Sequence, residues 1–147
     1  MKMERTKTEK KDKIKLIEYY LKNYTTFKVA NDNLQRQLQY LTPNENQSYL
    51  SINSDEKEKI MTIRKKLNET LLIENSIENA ISNLDILEQR FINLRYFQNY
   101  SIEKTAQTIG YSKASLYVLR SRIMDKLLIS FGIMINNDLK TVIEKNN

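Results

Sequence analysis

The chain has 147 residues, of which 24 are Lys or Arg and 18 are Asp or Glu, so its formal net charge is +6. It contains no Cys and no His, which excludes disulfides, Cys/His zinc sites and any catalysis that needs a histidine base. Only 2 Gly and 1 Pro are available for turns, and an all-α fold of long helices is therefore predicted.

Residues 1–12 are polar and basic, and we predict a flexible tail there in preference to a DNA-contacting arm. This segment lacks the apolar core of a signal peptide. No uninterrupted apolar run in the chain approaches the roughly 20 residues of a membrane span. We therefore expect a cytoplasmic, soluble protein with no membrane partner.

Residues 13–82 are predicted to form a helical N-terminal region. Apolar residues recur there at steps of three and four, which is the period of an amphipathic helix. Thr25 to Phe27 could interrupt the first helix, which should end at Leu41 because Pro43 follows. The next helix should run from about Asp55 to Ser82, with Ser54 as its capping residue. The sequence leaves open whether these stripes pack within the chain or form a dimerisation or partner-binding surface.

Residues 83–132 are predicted to form a separate DNA-binding domain, and residues 133–147 a C-terminal cap or tail. Asn83 or Asp85 can cap the leading helix of the DNA-binding domain, and Asp85 with Glu88 matches a capping box. Gly132 is predicted to end the last long helix, and a short final helix could begin at 136–138.

A short helix, a tight turn and a longer helix are predicted inside this domain, at Ser101–Ile109, Gly110–Tyr111 and from Ser112 onward. Gly110 can adopt the left-handed angles of a sharp turn, Ser101 is predicted to cap the short helix, and Ser112 can cap the second helix. The positions predicted to be buried are Ile102, Ala106, Ile109, Leu116, Leu119, Ile123 and Leu127. Apolar, small and turn residues in this register are typical of a helix-turn-helix, with a generic helical hairpin as the alternative.

The second helix of this motif carries the candidate DNA-binding residues. At about 100° per residue, Ala114, Tyr117, Val118 and Ser121 point away from the buried stripe. The cations on its flanks can meet phosphates, whereas outward Tyr, Val and Ala can pack on thymine methyl groups. We expect an AT-leaning site whose affinity depends strongly on salt, unless Tyr117 and Val118 pack on another helix instead. The full candidate set is Lys113, Ala114, Ser115, Tyr117, Val118, Arg120, Ser121 and Arg122.

The stretch Leu84 to Leu127 resembles the fourth conserved region of bacterial sigma factors. Its leading helix is similar to the pattern L-x-x-x-E-x-x-x-x-x-L-R-Y, and the short helix and the long helix resemble the corresponding parts of that region. The matching residues are Leu84, Glu88, Leu94, Arg95, Tyr96, Ser101, Ile102, Glu103, Ala106, Ser112, Lys126 and Leu127. Leu116 is a close substitute, whereas Lys104, Thr105 and Ile123 depart from the pattern.

The resemblance implies a sigma region 4-like helix-turn-helix whose second helix enters the major groove of a promoter. Carried over by position, the base-facing residues would be Lys113, Ala114, Tyr117 and Val118. Sigma factors commonly have Arg, Glu and Gln there, so recognition of a −35-type sequence does not carry over. A helical N-terminal half before such a module resembles phage-encoded late-gene regulators of the RinA and ArpU type.

The first hypothesis is therefore a transcriptional regulator that binds double-stranded DNA, with contact to RNA polymerase and homodimer formation left open. The alternative is an interaction module that binds polymerase or a sigma-type partner without specific DNA contact. A phage terminase small subunit is disfavoured, because its helix-turn-helix usually precedes the oligomerisation helices. An enzyme, a metal and a cofactor are not expected, since no carboxylate constellation or phosphate-binding glycine loop is present.

Overall fold

The computed structural model describes the backbone of residues 2–42, 53–132 and 135, with side chains from Thr6 onward within those ranges. Those residues form six α-helices and no strand, which confirms the all-α prediction. A five-residue π-helical segment, Asn93–Phe97, continues the fourth helix. The helices are α1 (Lys2–Lys22), α2 (Tyr24–Leu41), α3 (Ser54–Ser82), α4 (Ile86–Ile92), α5 (Ile102–Ile109) and α6 (Lys113–Ser130).

The boundaries of the first three helices follow local capping. The break predicted near Thr25 falls at Asn23, whose side-chain amide donates to the Tyr19 carbonyl at 2.8 Å. α2 ends at Leu41, as predicted. The cap of α3 is Asn53 and not Ser54, because the Asn53 side-chain oxygen accepts a hydrogen bond from the Glu56 amide at 2.8 Å.

The chain divides into two compact units, and the division differs from the predicted domains. Unit 1 comprises Met1–Asn23 and Ser76–Asn147, and unit 2 comprises Tyr24–Asn75. The predicted flexible tail is helical from Lys2 onward, and α1 belongs with the C-terminal helices instead of with residues 13–82.

The side chains of α1 explain why it joins the C-terminal helices. Ile17 and Leu21 are completely buried, and Tyr20 stacks on Phe131 with 6.4 Å between ring centroids. Much of the remaining unit 1 core comes from α4, the π-helical segment and α6, through Phe91, Ile92, Leu94, Tyr96, Leu116, Ile123, Met124 and Leu127. Burial of this apolar surface holds α1 against the C-terminal helices.

Among the described helices, unit 2 contains α2 and residues 54–75 of α3. Ile60 and Leu67 are buried there, together with two polar residues, Asn31 and Thr70. The Asn31 amide donates to the Thr70 carbonyl at 3.3 Å and also to the Glu74 carboxylate. A polar contact therefore lies inside the packing of this helix pair.

Two predictions concern the C-terminal end. Gly132 is not the cap of α6: the helix ends at Ser130, and Phe131 caps it with right-handed angles, φ −95° and ψ 2°. The predicted helix from 136–138 lies outside the described residues, as does most of the predicted 133–147 tail. Within the described ranges, no helix is both long enough and apolar enough to cross a membrane.

Candidate functional site

The turn between α5 and α6 has the predicted geometry. Gly110 has φ 85° and ψ 28°, a left-handed conformation that a side chain would disfavour. The amides of Gly110 and Tyr111 both donate to the Ala106 carbonyl at 2.9 Å, which ends α5 in a closed turn. The chain can therefore leave α5 sharply and enter α6 after three residues.

Serine side chains cap both helices, as predicted. The Ser101 hydroxyl accepts a hydrogen bond from the Lys104 amide at 3.1 Å, and the Ser112 hydroxyl accepts one from the Ser115 amide at 3.1 Å. Each satisfies an amide that has no partner within its own helix. The starts of α5 and α6 are thus specified by adjacent sequence.

The buried stripe of α6 is the predicted one. Leu116, Leu119, Ile123 and Leu127 are all buried, and Met124 joins them. In α5 the prediction is only partly confirmed: Ala106 is buried, whereas Ile102 and Ile109 are half-buried. Thr105 is fully buried in their place, and its hydroxyl donates to the Ser101 carbonyl at 2.8 Å.

The opposite face of α6 is exposed, and its N-terminal half is formed by uncharged side chains, with Asp125 one turn after Ser121. Val118 is 72% exposed and Tyr117 48% exposed, so neither packs deeply on another helix of unit 1. Ala114, Ser115 and Ser121 are exposed on the same helix. A shallow depression beside the turn is lined by Tyr111, Ser112, Ser115, Val118 and Arg122. This face offers apolar and hydroxyl groups to a partner.

Lys113, at the N-terminal end of α6, forms an exposed ion pair across the turn. Its ammonium lies 3.0 Å from the Glu103 carboxylate, and more than half of each side chain is exposed. A hydrogen bond from its own backbone amide and then one from Lys113 lower the pKa of Glu103. The carboxylate raises the pKa of Lys113 in return. An exposed pair of this kind is weak and exchanges readily with another anion.

Arg120 is placed differently, because its guanidinium lies 2.8 Å from Glu18 of α1. The Tyr96 hydroxyl donates to the other oxygen of Glu18 at 2.8 Å. Burial opposes the charge on Arg120, but Glu18 outweighs it, so the Arg120 pKa is raised. Burial and then Glu18 raise the pKa of Tyr96 above its usual range. This half-buried cluster joins α1, the π-helical segment and α6.

Arg122 and Lys126 converge on Glu88, a completely buried carboxylate. Lys126 donates to it at 2.7 Å and Arg122 at 3.2 Å. Glu88 also accepts a hydrogen bond at 3.0 Å from the backbone amide of Asp85, whose side chain caps α4, which completes the predicted capping box. Burial raises the pKa of Glu88, but these donors outweigh it and hold the pKa at about 2.

The structure thus separates the predicted site residues into two groups. One group lies on the exposed face in the N-terminal half of α6 and comprises Ala114, Ser115, Tyr117, Val118 and Ser121. Arg120 and Arg122, predicted as phosphate contacts, lie against carboxylates of α1 and α4.

Sequence reasoning anticipated Glu88 as a capping residue but not as an ion-pair centre. The role of Glu18 gave no sequence signal, because its partner Arg120 is 102 residues away.

Within the described residues, no group of three Asp, Glu, His or Cys side chains is placed to hold a metal ion. The comparisons with known proteins identify no relative: no family model, no curated protein and no solved structure matches this chain.

Proposed function

We propose that the chain is a transcriptional regulator that binds double-stranded DNA through α5, the Gly110 turn and α6, acting as a helix-turn-helix. The observation that carries the proposal is the exposed face of α6, which follows a closed left-handed turn and begins at a serine cap. A helix that is anchored on one side and exposed on the other has the form required to enter a major groove.

The chemistry of this face supports readout of thymine-rich sequence. Tyr117, Val118 and Ala114 offer apolar groups that can contact thymine methyl groups, and Ser115 and Ser121 offer hydroxyls to base edges. None of these five side chains can form the bidentate bond that arginine makes to guanine. The proposed site is therefore AT-leaning.

In this proposal the cations of α6 have unequal roles. Lys113 is exposed, and a phosphate can replace Glu103 as its partner. Arg120 and Arg122 have carboxylate partners that are buried or nearly so, and they orient α6 on α1 and α4. We therefore expect Lys113, and not the two arginines, to contact phosphate among the cations of α6.

The resemblance of Leu84–Leu127 to sigma factor region 4 supports a role at promoters. It also supports a position among phage-encoded late regulators, with RNA polymerase as a further partner. Whether the protein activates or represses depends on where its site lies relative to the promoter.

The test is enrichment of bound duplexes from random DNA, followed by fluorescence anisotropy with the enriched sequence. Tyr117→Ala and Val118→Ala should each weaken binding about tenfold, because each removes at least two carbon groups that are buried on binding and contribute about 0.8 kcal/mol apiece. Ile129→Ala is the matched control, because Ile129 is also an exposed apolar residue of α6, at 84%, and lies three turns from Val118. Equal binding by all three variants would contradict the proposal.

A second candidate is an interaction module that binds polymerase or a sigma-type partner without specific DNA contact. It is favoured by the uncharged side chains in the N-terminal half of the exposed face of α6, and by the exposed Tyr40, Met61 and Leu72 of unit 2. Footprinting with and without polymerase separates the two functions. Protection that appears only when polymerase is present would favour the interaction module.

A further inference from the structure

α1 carries a row of lysines that the α5–α6 motif does not account for. Lys7, Lys11, Lys15 and Lys22 follow one another along the helix with Glu18 between the last two, at steps of four, four, three and four residues. At about 100° per residue, all four lie within roughly 60° of Glu18 around the helix. They form one ridge, which we call the lysine row.

The lysine row is exposed and its positive charge is not compensated locally. All four lysines are exposed, and none forms an ion pair with a carboxylate in the part of the chain that the structure describes. Glu18, the carboxylate within the row, is already paired with Arg120 and accepts a hydrogen bond from Tyr96. The ridge therefore presents uncompensated cations, in contrast to α6.

Contacts within unit 1 show which way the row faces. Glu9 and Tyr20 lie about 180° and 200° around α1 from Glu18. Tyr20 stacks on Phe131, and Glu9 shares a depression with Gly132, so that side of α1 faces the C-terminal end of α6.

Glu18 lies on the other side of α1, where it reaches Arg120 in the middle of α6. Lys15 precedes Glu18 and Lys22 follows it by about one helical turn each, roughly 5 Å along the helix axis, so these two lysines flank the ion pair with Arg120. Lys10, next to Lys11, pairs with Asp125 at 3.0 Å, so the segment of α1 that carries Lys7 and Lys11 lies beside the C-terminal half of α6.

DNA binding through α6 requires phosphate contacts, because these provide most of the non-specific affinity and set the register of the protein on the duplex. The cations of α6 are paired with Glu103, Glu18 and Glu88. The lysine row adds exposed cations that have no carboxylate partner among the described residues, on the helix that Glu18 joins to α6.

We propose that α1 is a second DNA-contacting element, in which the lysine row binds the phosphate backbone beside the groove that α6 enters. This inference rests on the proposed function. It assigns phosphate contacts to α1, a helix outside the helix-turn-helix. The occupant is the phosphodiester backbone of the duplex already held by α6. The Glu18–Arg120 pair is then the contact that keeps the two elements in register.

The test measures the salt dependence of DNA binding by the full chain. Lys7→Gln, Lys11→Gln and Lys15→Gln are combined in one variant, and the affinity for a duplex of the enriched sequence is measured by anisotropy at several salt concentrations. The slope of log affinity against log salt should fall in magnitude by about 2 to 3, since each phosphate neutralised contributes about 0.9. Affinity at low salt should fall at least tenfold.

Two control variants isolate the role of position. Lys57→Gln, Lys65→Gln and Lys66→Gln remove the same charge from exposed residues of α3 in unit 2 and should change the slope by less than one. Lysine-to-arginine changes at 7, 11 and 15 keep the charge and should keep the slope. Circular dichroism of each variant verifies that the helices are intact.

The outcomes distinguish this inference from the proposed function. If the wild type binds, Tyr117→Ala weakens binding and the glutamine variant at 7, 11 and 15 retains the full slope, the α1 inference is wrong and the function stands. If both triple glutamine variants lose slope equally, net charge is the cause and the inference is again wrong. A wild-type chain that binds no duplex at any salt would overturn both.

Discussion

The two units differ in how completely their buried polar groups are hydrogen-bonded. In unit 1 the buried Glu88 receives hydrogen bonds from a lysine, an arginine and a backbone amide, and the buried Thr105 donates to a carbonyl. In unit 2 the buried Thr70 hydroxyl donates to the Lys66 carbonyl at 2.9 Å and the amide nitrogen of the buried Asn31 is bonded, but the Asn31 side-chain oxygen has no hydrogen-bond partner. A buried polar group that has its hydrogen-bond partners favours one arrangement of the helices around it. A buried polar group without a partner lowers the stability of the fold and favours no particular arrangement.

This difference indicates which unit depends on polar contacts for its geometry. In unit 1 the ion pairs connect α6 to α1 and to α4, so they fix the helix whose face we propose to enter DNA. In unit 2 the buried apolar side chains are Ile60 and Leu67 of α3, and the buried residue of α2 is Asn31. The predictions below test this contrast, from the largest expected effect to the smallest.

Replacing Glu88 should have the largest effect. Glu88→Ala removes the capping box of α4 and leaves Lys126 and Arg122 without their shared partner, at a cost of about 3 kcal/mol in the free energy of unfolding. Urea denaturation measures this. Glu103→Ala is the control, because its ion pair with Lys113 is exposed and its loss should change stability little. Equal losses in the two variants would contradict the special position of Glu88.

The pH dependence of stability should follow from the same carboxylate. The pKa of Glu88 is about 2 in the folded chain and near 4.5 when unfolded. Because the folded value is lower, the unfolded state binds more protons between these values, and this contribution is complete above about pH 4.5 and lost as pH falls towards 2. Glu88→Gln should therefore lose less stability than the wild type over this range. The free energy of unfolding of both proteins is measured at a series of acidic pH values. If it falls by the same amount in both, Glu88 contributes nothing to the pH dependence of stability.

The two kinds of contact also differ in how far sequence could predict them. The caps at Asp85, Ser101 and Ser112 and the turn at Gly110 involve residues within five positions of one another, and all were predicted. A capping residue and the amide that it binds lie on the same turn, so local spacing is sufficient.

The tertiary contacts were not predicted. Glu18 and Arg120 are 102 residues apart, and nothing near either of them specifies the other. The π-helical segment Asn93–Phe97 was also missed, because a helical pattern does not reveal one extra residue in a turn. The docking of α1 on the C-terminal helices depends on tertiary packing, so its basic first turns were interpreted as a tail.

Removing one hydroxyl from the Glu18 cluster should have an intermediate effect. Tyr96→Phe keeps the buried ring but deletes the donor to Glu18, which should cost about 1 kcal/mol in the free energy of unfolding. Tyr111→Phe is the control, since Tyr111 is a 39% exposed side chain of the same unit. If the two variants are equally stable, the Tyr96 hydroxyl does not contribute to the position of α1.

Replacing Asn31 should have the smallest effect, although Asn31 is only 2% exposed. Asn31→Ala gives up two hydrogen bonds, to Thr70 and Glu74, but it also removes the buried oxygen that lacks a partner. The lost bonds contribute about 1 kcal/mol each, an unsatisfied buried acceptor costs about 1–3 kcal/mol, and alanine is the better helix former. These terms nearly cancel, so we expect a change within about 1 kcal/mol, measured by hydrogen exchange of the α2 and α3 amides. A loss as large as that of Glu88→Ala would mean that unit 2, like unit 1, depends on its buried polar contact.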